Sequence, residues 1–196
     1  MGAPRNTSCD DEQTLAHSIA QGDAGAMRLL YDRYMPLLAS VCTRYIADDS
    51  EAKDVLQDSF VSIFTSIGGF SYKGEGSLRA WMTRIVINKS INSLKKSMRL
   101  SQIETPGQVP DVPDDEDCDG GSVDAGRVPI DVIHGFIRQL PDGYRTVFNM
   151  SVIEHRSHSE IAAALGIKKE TSASQLHRAK AVLARQIRHY VNTHDC

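Results

Sequence analysis

Apolar residues return along this chain at intervals of three and four. From Ala52 they fall at Val55, Leu56, Phe60, Ile63, Phe64 and Ile67, the stripe that one face of a 3.6-residue helix buries. Asp48 stands three residues before Glu51, the spacing of a capping box, and Gly68-Gly69 supplies a stop. A second long helix is predicted from Ser77, its cap, with Leu78, Trp81, Met82, Ile85 and Val86 as its buried stripe and Trp81 assigned to the core. Upstream, Leu15 and Ile19 mark a short helix, and Asp23 caps another running toward Ile46 that Pro36 is expected to kink. The second half reads as helices near 130–139, 141–155, 157–165 and 170–190. There Ser157 and Glu160 repeat the capping-box spacing, Ile161 and Leu165 point inward, and Gly166 makes a turn. Leu176, Ala179, Leu183 and Ile187 then form the inner stripe of the last helix. No period-two alternation marks a strand, so the pattern predicts an all-α fold.

The stripes stop between the two halves. Residues 97–129 hold four prolines and almost no large apolar side chain, and they carry Arg99 and Arg127 against eight acids, a net of −6. Such a segment cannot bury enough surface to offset its ordering entropy. It reads as a flexible acidic linker between two small helical domains, 12–96 and 130–190, with a disordered start at 1–11 and a tail at 191–196. Composition is otherwise ordinary: of 196 residues, 41% are apolar and 24% charged. No stretch approaches the ~20 apolar residues of a membrane span, and the amino terminus lacks a basic-then-apolar signal. Cys9, Cys42, Cys118 and Cys196 are scattered singly, which indicates neither a disulfide framework nor a zinc site. A cytoplasmic protein with reduced thiols, without direct membrane insertion, is the expectation.

The overall charge of −3 argues mildly against nucleic acid, but its distribution does not. The first domain is close to neutral at +1 and the second carries +4. Residues 168–190 hold six basic groups and one acid, and Arg79 to Arg99 holds six basic groups and none. Helix, short glycine-containing turn, helix over 157–190 is the helix-turn-helix pattern, which many helical hairpins share. Ser174, His177, Arg178, Ala181 and Arg185 fall on the outer side of its second helix, a short polar and basic face suited to a major groove. Along the Ser77 helix, Arg84, Asn88, Asn92 and Lys95 form a polar row, and the preceding loop sets Phe70 and Tyr72 beside Lys73. Those two rings either offer stacking faces to an unpaired base or plug the core.

DVLQDSFVSIF at 54–64, GSLRAWMTRIVINKSINSLKK at 76–96 and LPDGYRTVFNMSVIEHRSHSEIAAALGIKKETSASQLHRAKAVL at 140–183 resemble, in this order, three segments of the extracytoplasmic-function group of bacterial sigma factors. The resemblance implies that Asp54, Gln57 and Asp58 dock on the clamp of the largest subunit of core RNA polymerase. It implies that the aromatic loop captures a flipped base and that Arg79, Arg84, Asn88, Asn92 and Lys95, with Phe70, Tyr72 and Lys73, meet minus-ten promoter DNA. At minus thirty-five it points to Ser174, His177 and Arg178 for base edges, and to Lys168, Lys169, Thr171 and Lys180 for phosphates. An anti-sigma factor is implied as a further partner, and a stress or envelope response as the setting.

The chain departs from the family's pattern in places. Asn92 and Lys95 stand where the family has an Asp and Arg pair, which removes an ion pair and puts a DNA role for Asn92 in doubt. Ser172 places a hydroxyl where a branched apolar residue packs, and Ala173 loses a polar contact. Gln175 replaces an arginine and would read adenine if it faces the groove. The acidic linker either mimics a phosphate chain in the polymerase channels or simply aids solubility. A helix-turn-helix regulator acting without polymerase would account for 130–190 but not for the acidic face at 54–58. No nucleophilic triad, phosphate loop or carboxylate pair stands out, and Glu154-His155-x-x-His158 has the wrong order for a zincin helix. An enzyme is therefore not expected, and no cofactor or metal is implied.

Overall fold

A computed structural model of the chain describes residues 11–104 and 128–194. Among them every regular element is helical: α1 (Glu12–Ala20), α2 (Ala24–Tyr45), α3 (Asp49–Ser66), α4 (Ser77–Glu104), α5 (Ile130–Gln139), α6 (Asp142–Phe148), α7 (His158–Leu165) and α8 (Lys169–His194). The described residues divide into two compact units, one reaching to Thr43 and resuming over Asp48–Ser90, the other joining Arg44–Ala47 to the chain from Ile91 onward.

In the first unit α1 buries Leu15, Ala16 and Ile19, and α3 buries Val55, Leu56, Phe60 and Ile63. The Asp23 carboxylate accepts from the Gly25 and Ala26 amides at 2.8 and 3.2 Å and caps α2, as the sequence predicts. Pro36 lies inside α2, which continues through it as one helix. Asp48 accepts from the Glu51 amide at 2.8 Å. A single 3-10 turn at Ile67–Gly69 follows α3 and touches both α1 and α3.

In the second unit α8 packs against α5, α6 and α7. Ile137, Leu140 and Tyr144 meet Ala179 and Leu183 in its core, flanked by Ile133, Phe136, Phe148 and Val182. Within this core lies a charged side chain. Arg145 is 2% exposed, and its guanidinium donates to the carbonyls of Tyr45, Arg138 and Leu140 at 3.0, 3.0 and 2.9 Å and to the Asp142 carboxylate at 2.5 Å. Pairing four of its five N–H donors is what makes such burial tolerable.

The observed elements correct several boundaries. α4 runs on to Glu104, eight residues into the segment read as linker, and α8 runs to His194, into the segment read as a tail. Residues 105–127, most of the acidic linker, and residues 1–10 and 195–196 lie outside the described residues. The helix expected over 141–155 is instead α6 followed by a π-helical turn at Asn149–Ile153.

Candidate functional site

The three surfaces that the sequence singles out centre on three helices, α3, α4 with the loop before it, and α8. On α3 the apolar stripe is turned inward, which leaves Asp54, Gln57 and Asp58 exposed on the opposite side. Beside them is an apolar groove of about 390 Å³ that the sequence did not disclose, lined by Tyr31, Met35, Gln57, Phe60, Val61 and Phe64 among others. Its aromatic wall is continuous: the Tyr31 and Phe60 ring centroids lie 4.7 Å apart, and those of Phe60 and Phe64 6.0 Å. Phe64, assigned to the buried stripe, is only half-buried, and Val61 is 58% exposed. The readable signal was Tyr31 and Met35, four residues apart on one face of α2.

On α4, Leu78, Met82 and Val86 fill the core, and Arg79, Arg84, Asn88 and Asn92 stand exposed with Lys95 half-buried beside them. Trp81 is not a core residue. One step round the helix from Met82, it is half-buried and packs against the Phe70 ring of the preceding loop at 5.4 Å between centroids, with the ring planes tilted by 50°. Phe70 and Tyr72 are likewise half-buried, so neither is sealed in the core, and Lys73 is exposed. Partial burial, and then the carboxylates of Asp11, Glu12 and Glu75, push the Tyr72 phenol above its ordinary range and keep it protonated. Positive φ values at Gly74 (119°) and Gly76 (82°), which side chains other than glycine rarely adopt, turn this loop into α4.

Ser77 proves to be the first residue of α4, and its hydroxyl accepts from the Lys73 amide at 3.3 Å. The cap comes instead from α1. Glu12 Oε2 accepts the Leu78 amide at 2.9 Å, and Oε1 accepts the Tyr34 hydroxyl at 3.2 Å. A carboxylate at a helix amino terminus is favoured by the free amides and the helix dipole. Burial, followed by the charge and hydrogen bond of Glu12, raises the Tyr34 phenol. One side chain thereby ties α1, α2 and the start of α4 together.

The helix-turn-helix is built by local rules. Ser157 and Glu160 form the complete capping box of α7, and Gly166 (φ 73°) ends that helix in the left-handed region. Hydrogen bonds from Ser157 hold the Glu160 carboxyl below its ordinary value. Ser172 is fully buried, and its hydroxyl meets His158 Nδ1 at 3.0 Å, which gives the buried polar atom a partner. His155, at φ 55°, lies in the turn before Ser157, so the two histidines do not share a helix face.

Lys168, just before α8, and Lys169, Ser174, His177 and Lys180 along it are exposed, and Thr171, Gln175 and Arg178 are half-buried. Gln175 faces α6: its amide nitrogen lies 3.2 Å from where a Cβ on Gly143 would stand. The condition for its adenine reading, an outward orientation, is therefore not met. Arg178 leans over Tyr144, with Nη1 3.5 Å from the hydroxyl, at the far end of hydrogen-bonding range. Ser174 donates back to the Thr171 carbonyl at 3.1 Å. No described helix is long and apolar enough to cross a membrane.

Comparison with known proteins identifies the family. The family models "Sigma-70 region 2" and "Sigma-70, region 4" match residues 30–100 and 130–183. The ECF RNA polymerase sigma-E factor of Haemophilus influenzae is 28% identical over 190 residues, covering 90% of this chain and 95% of that protein. ECF RNA polymerase sigma factor SigW of Bacillus subtilis is 26% identical, covering 87% and 93%. Among solved structures, the sigma factor RpoE of Bartonella quintana, crystallised with the anti-sigma factor NepR, aligns with a TM-score of 0.46 at 19% identity, over 82% of this chain and 96% of that one. With regions 2 and 4 in order, and full-length likeness to curated members, the chain belongs to the extracytoplasmic-function group of RNA polymerase sigma factors.

Proposed function

We propose that this sigma factor docks on the clamp of core polymerase through Asp54, Gln57 and Asp58. Phe70, Tyr72 and the basic row of α4 then open the minus-ten element, and α8 grips the minus-thirty-five duplex. The observation that carries this reading is the sorting of charge by helix: acids exposed on α3, bases and amides exposed on α4 and α8. Lys168, Lys169, Thr171 and Lys180 take phosphates, and Ser174 and His177 lie nearest base edges, with Arg178 reaching the groove after leaving Tyr144. The protein works in the cytoplasm, performs no catalysis itself and is held in check by an anti-sigma factor until an envelope or other stress releases it. A regulator acting without polymerase leaves the region 2 match unexplained.

The test is a pull-down with bacterial core polymerase. Wild-type chain is expected to be retained, and Asp58→Lys to be lost while its circular dichroism stays unchanged, because Asp58 is exposed and its replacement disturbs no packing. Retention of Asp58→Lys at wild-type strength would remove this face from the interface.

A further inference from the structure

Gly143 is the second residue of α6 and lies against α8. Its backbone is helical and outside the left-handed region, so the conformation does not require glycine there. Alanine would suit a helix better. What the glycine supplies is space. A Cβ at this position would stand 3.2 Å from Nε2 of Gln175 and 3.6 Å from its Cδ and Oε1, so the whole amide rests on the glycine. On the reading of α8 as the minus-thirty-five helix, we propose that Gly143 is a specificity-determining residue. It makes room for Gln175 to fold back on α6, which withdraws an adenine-reading amide from the DNA groove.

The position of residue 175 on α8 makes this a choice between two orientations. It follows the buried Ser172 by three residues and precedes Arg178 by three, so it borders the core on one side and the outer face on the other. Thr171, Gln175 and Arg178 are half-buried along this one edge. From such an edge, a change of side-chain rotamer carries the amide from α6 to the outer face. There its carbonyl would accept from adenine N6 and its nitrogen would donate to N7, a pattern that distinguishes adenine in the major groove. The atoms nearest the missing Cβ are the far end of a flexible side chain, not backbone. A side chain at 143 therefore displaces Gln175 and leaves the packing of α6 on α8 in place. Alanine crowds the amide, and leucine fills the place where it lies.

The inference is tested with the full chain bound to bacterial core polymerase, on barcoded linear templates whose minus-thirty-five window is randomised, by sequencing the transcripts. Gln175→Ala is expected to keep every wild-type base preference. Gly143→Leu is expected to gain a preference of about tenfold for adenine at one position, and Gly143→Ala a smaller gain at the same position. Adding Gln175→Ala to Gly143→Leu is expected to abolish the gain. Should Gly143→Leu not fold by circular dichroism, Gly143→Ala with and without Gln175→Ala decides the question. Wild-type preferences in the position 143 variants, a gain that survives removal of Gln175, or an altered preference in Gln175→Ala alone overturns the role of Gly143 and leaves the sigma reading intact. A wild-type holoenzyme without any preference in the window overturns the reading of α8, and one without any transcript overturns the sigma reading; this inference falls with either.

Discussion

Glu12 is the side chain through which α1 reaches α2 and α4. Its removal leaves the amide of Leu78, a fully buried residue, without a charged acceptor. Hydrogen bonds to charged groups contribute about 1.5–3 kcal/mol, so Glu12→Ala is expected to lower unfolding stability by about 2 kcal/mol in urea titration. An unchanged midpoint would mean that water replaces the carboxylate at no cost. Arg145 makes the same argument in the second unit. Arg145→Met keeps the apolar stem but strands the Arg138 and Leu140 carbonyls, each unpaired buried group costing about 1–3 kcal/mol. The expected result is a marked fall in melting temperature, larger than for any exposed lysine of α8.

Among the elements, α7 rests most plainly on sequence-local chemistry. The folded state holds the Glu160 carboxyl below its unfolded value, so the capping box contributes in full above the ordinary carboxylate range. That contribution is lost as pH falls through the depressed value. Ser157→Ala is expected to lower stability by about 1 kcal/mol at neutral pH and to make the acid side of the stability profile less steep, both read by denaturant titration between pH 3 and 7. A variant with the wild-type acid slope would show that the hydrogen bonds of Ser157 do not cause the shift. Caps of this kind were legible in the sequence because donor and acceptor lie three residues apart, as at Asp23, Asp48 and Ser157. The cap of α4 was not legible, since its partners are 66 residues apart. Trp81 was misplaced because the face that α4 buries runs through Leu78, Met82, Val86 and Ile87, to one side of the predicted stripe. Gln175 could not be oriented from its spacing, which leaves open whether a half-buried position faces α6 or solvent.

For the whole molecule, the net charge of −3 is an average over parts of opposite sign. Both basic helices were identifiable from composition, and the order of the three family segments identified the fold and the function. What sequence could not supply was the concavities: the groove beside Asp58 and a cavity under Phe70 each join residues from separate helices. Binding to promoter DNA is expected to weaken steeply with salt, as phosphate contacts release counterions. The central claim is that this chain turns core polymerase into a promoter-specific enzyme, and run-off transcription measures that directly. Bacterial core polymerase plus this chain is expected to give discrete transcripts from a defined set of promoters, with none from core alone. Promoter binding by the chain without any transcript when core is present would contradict the account.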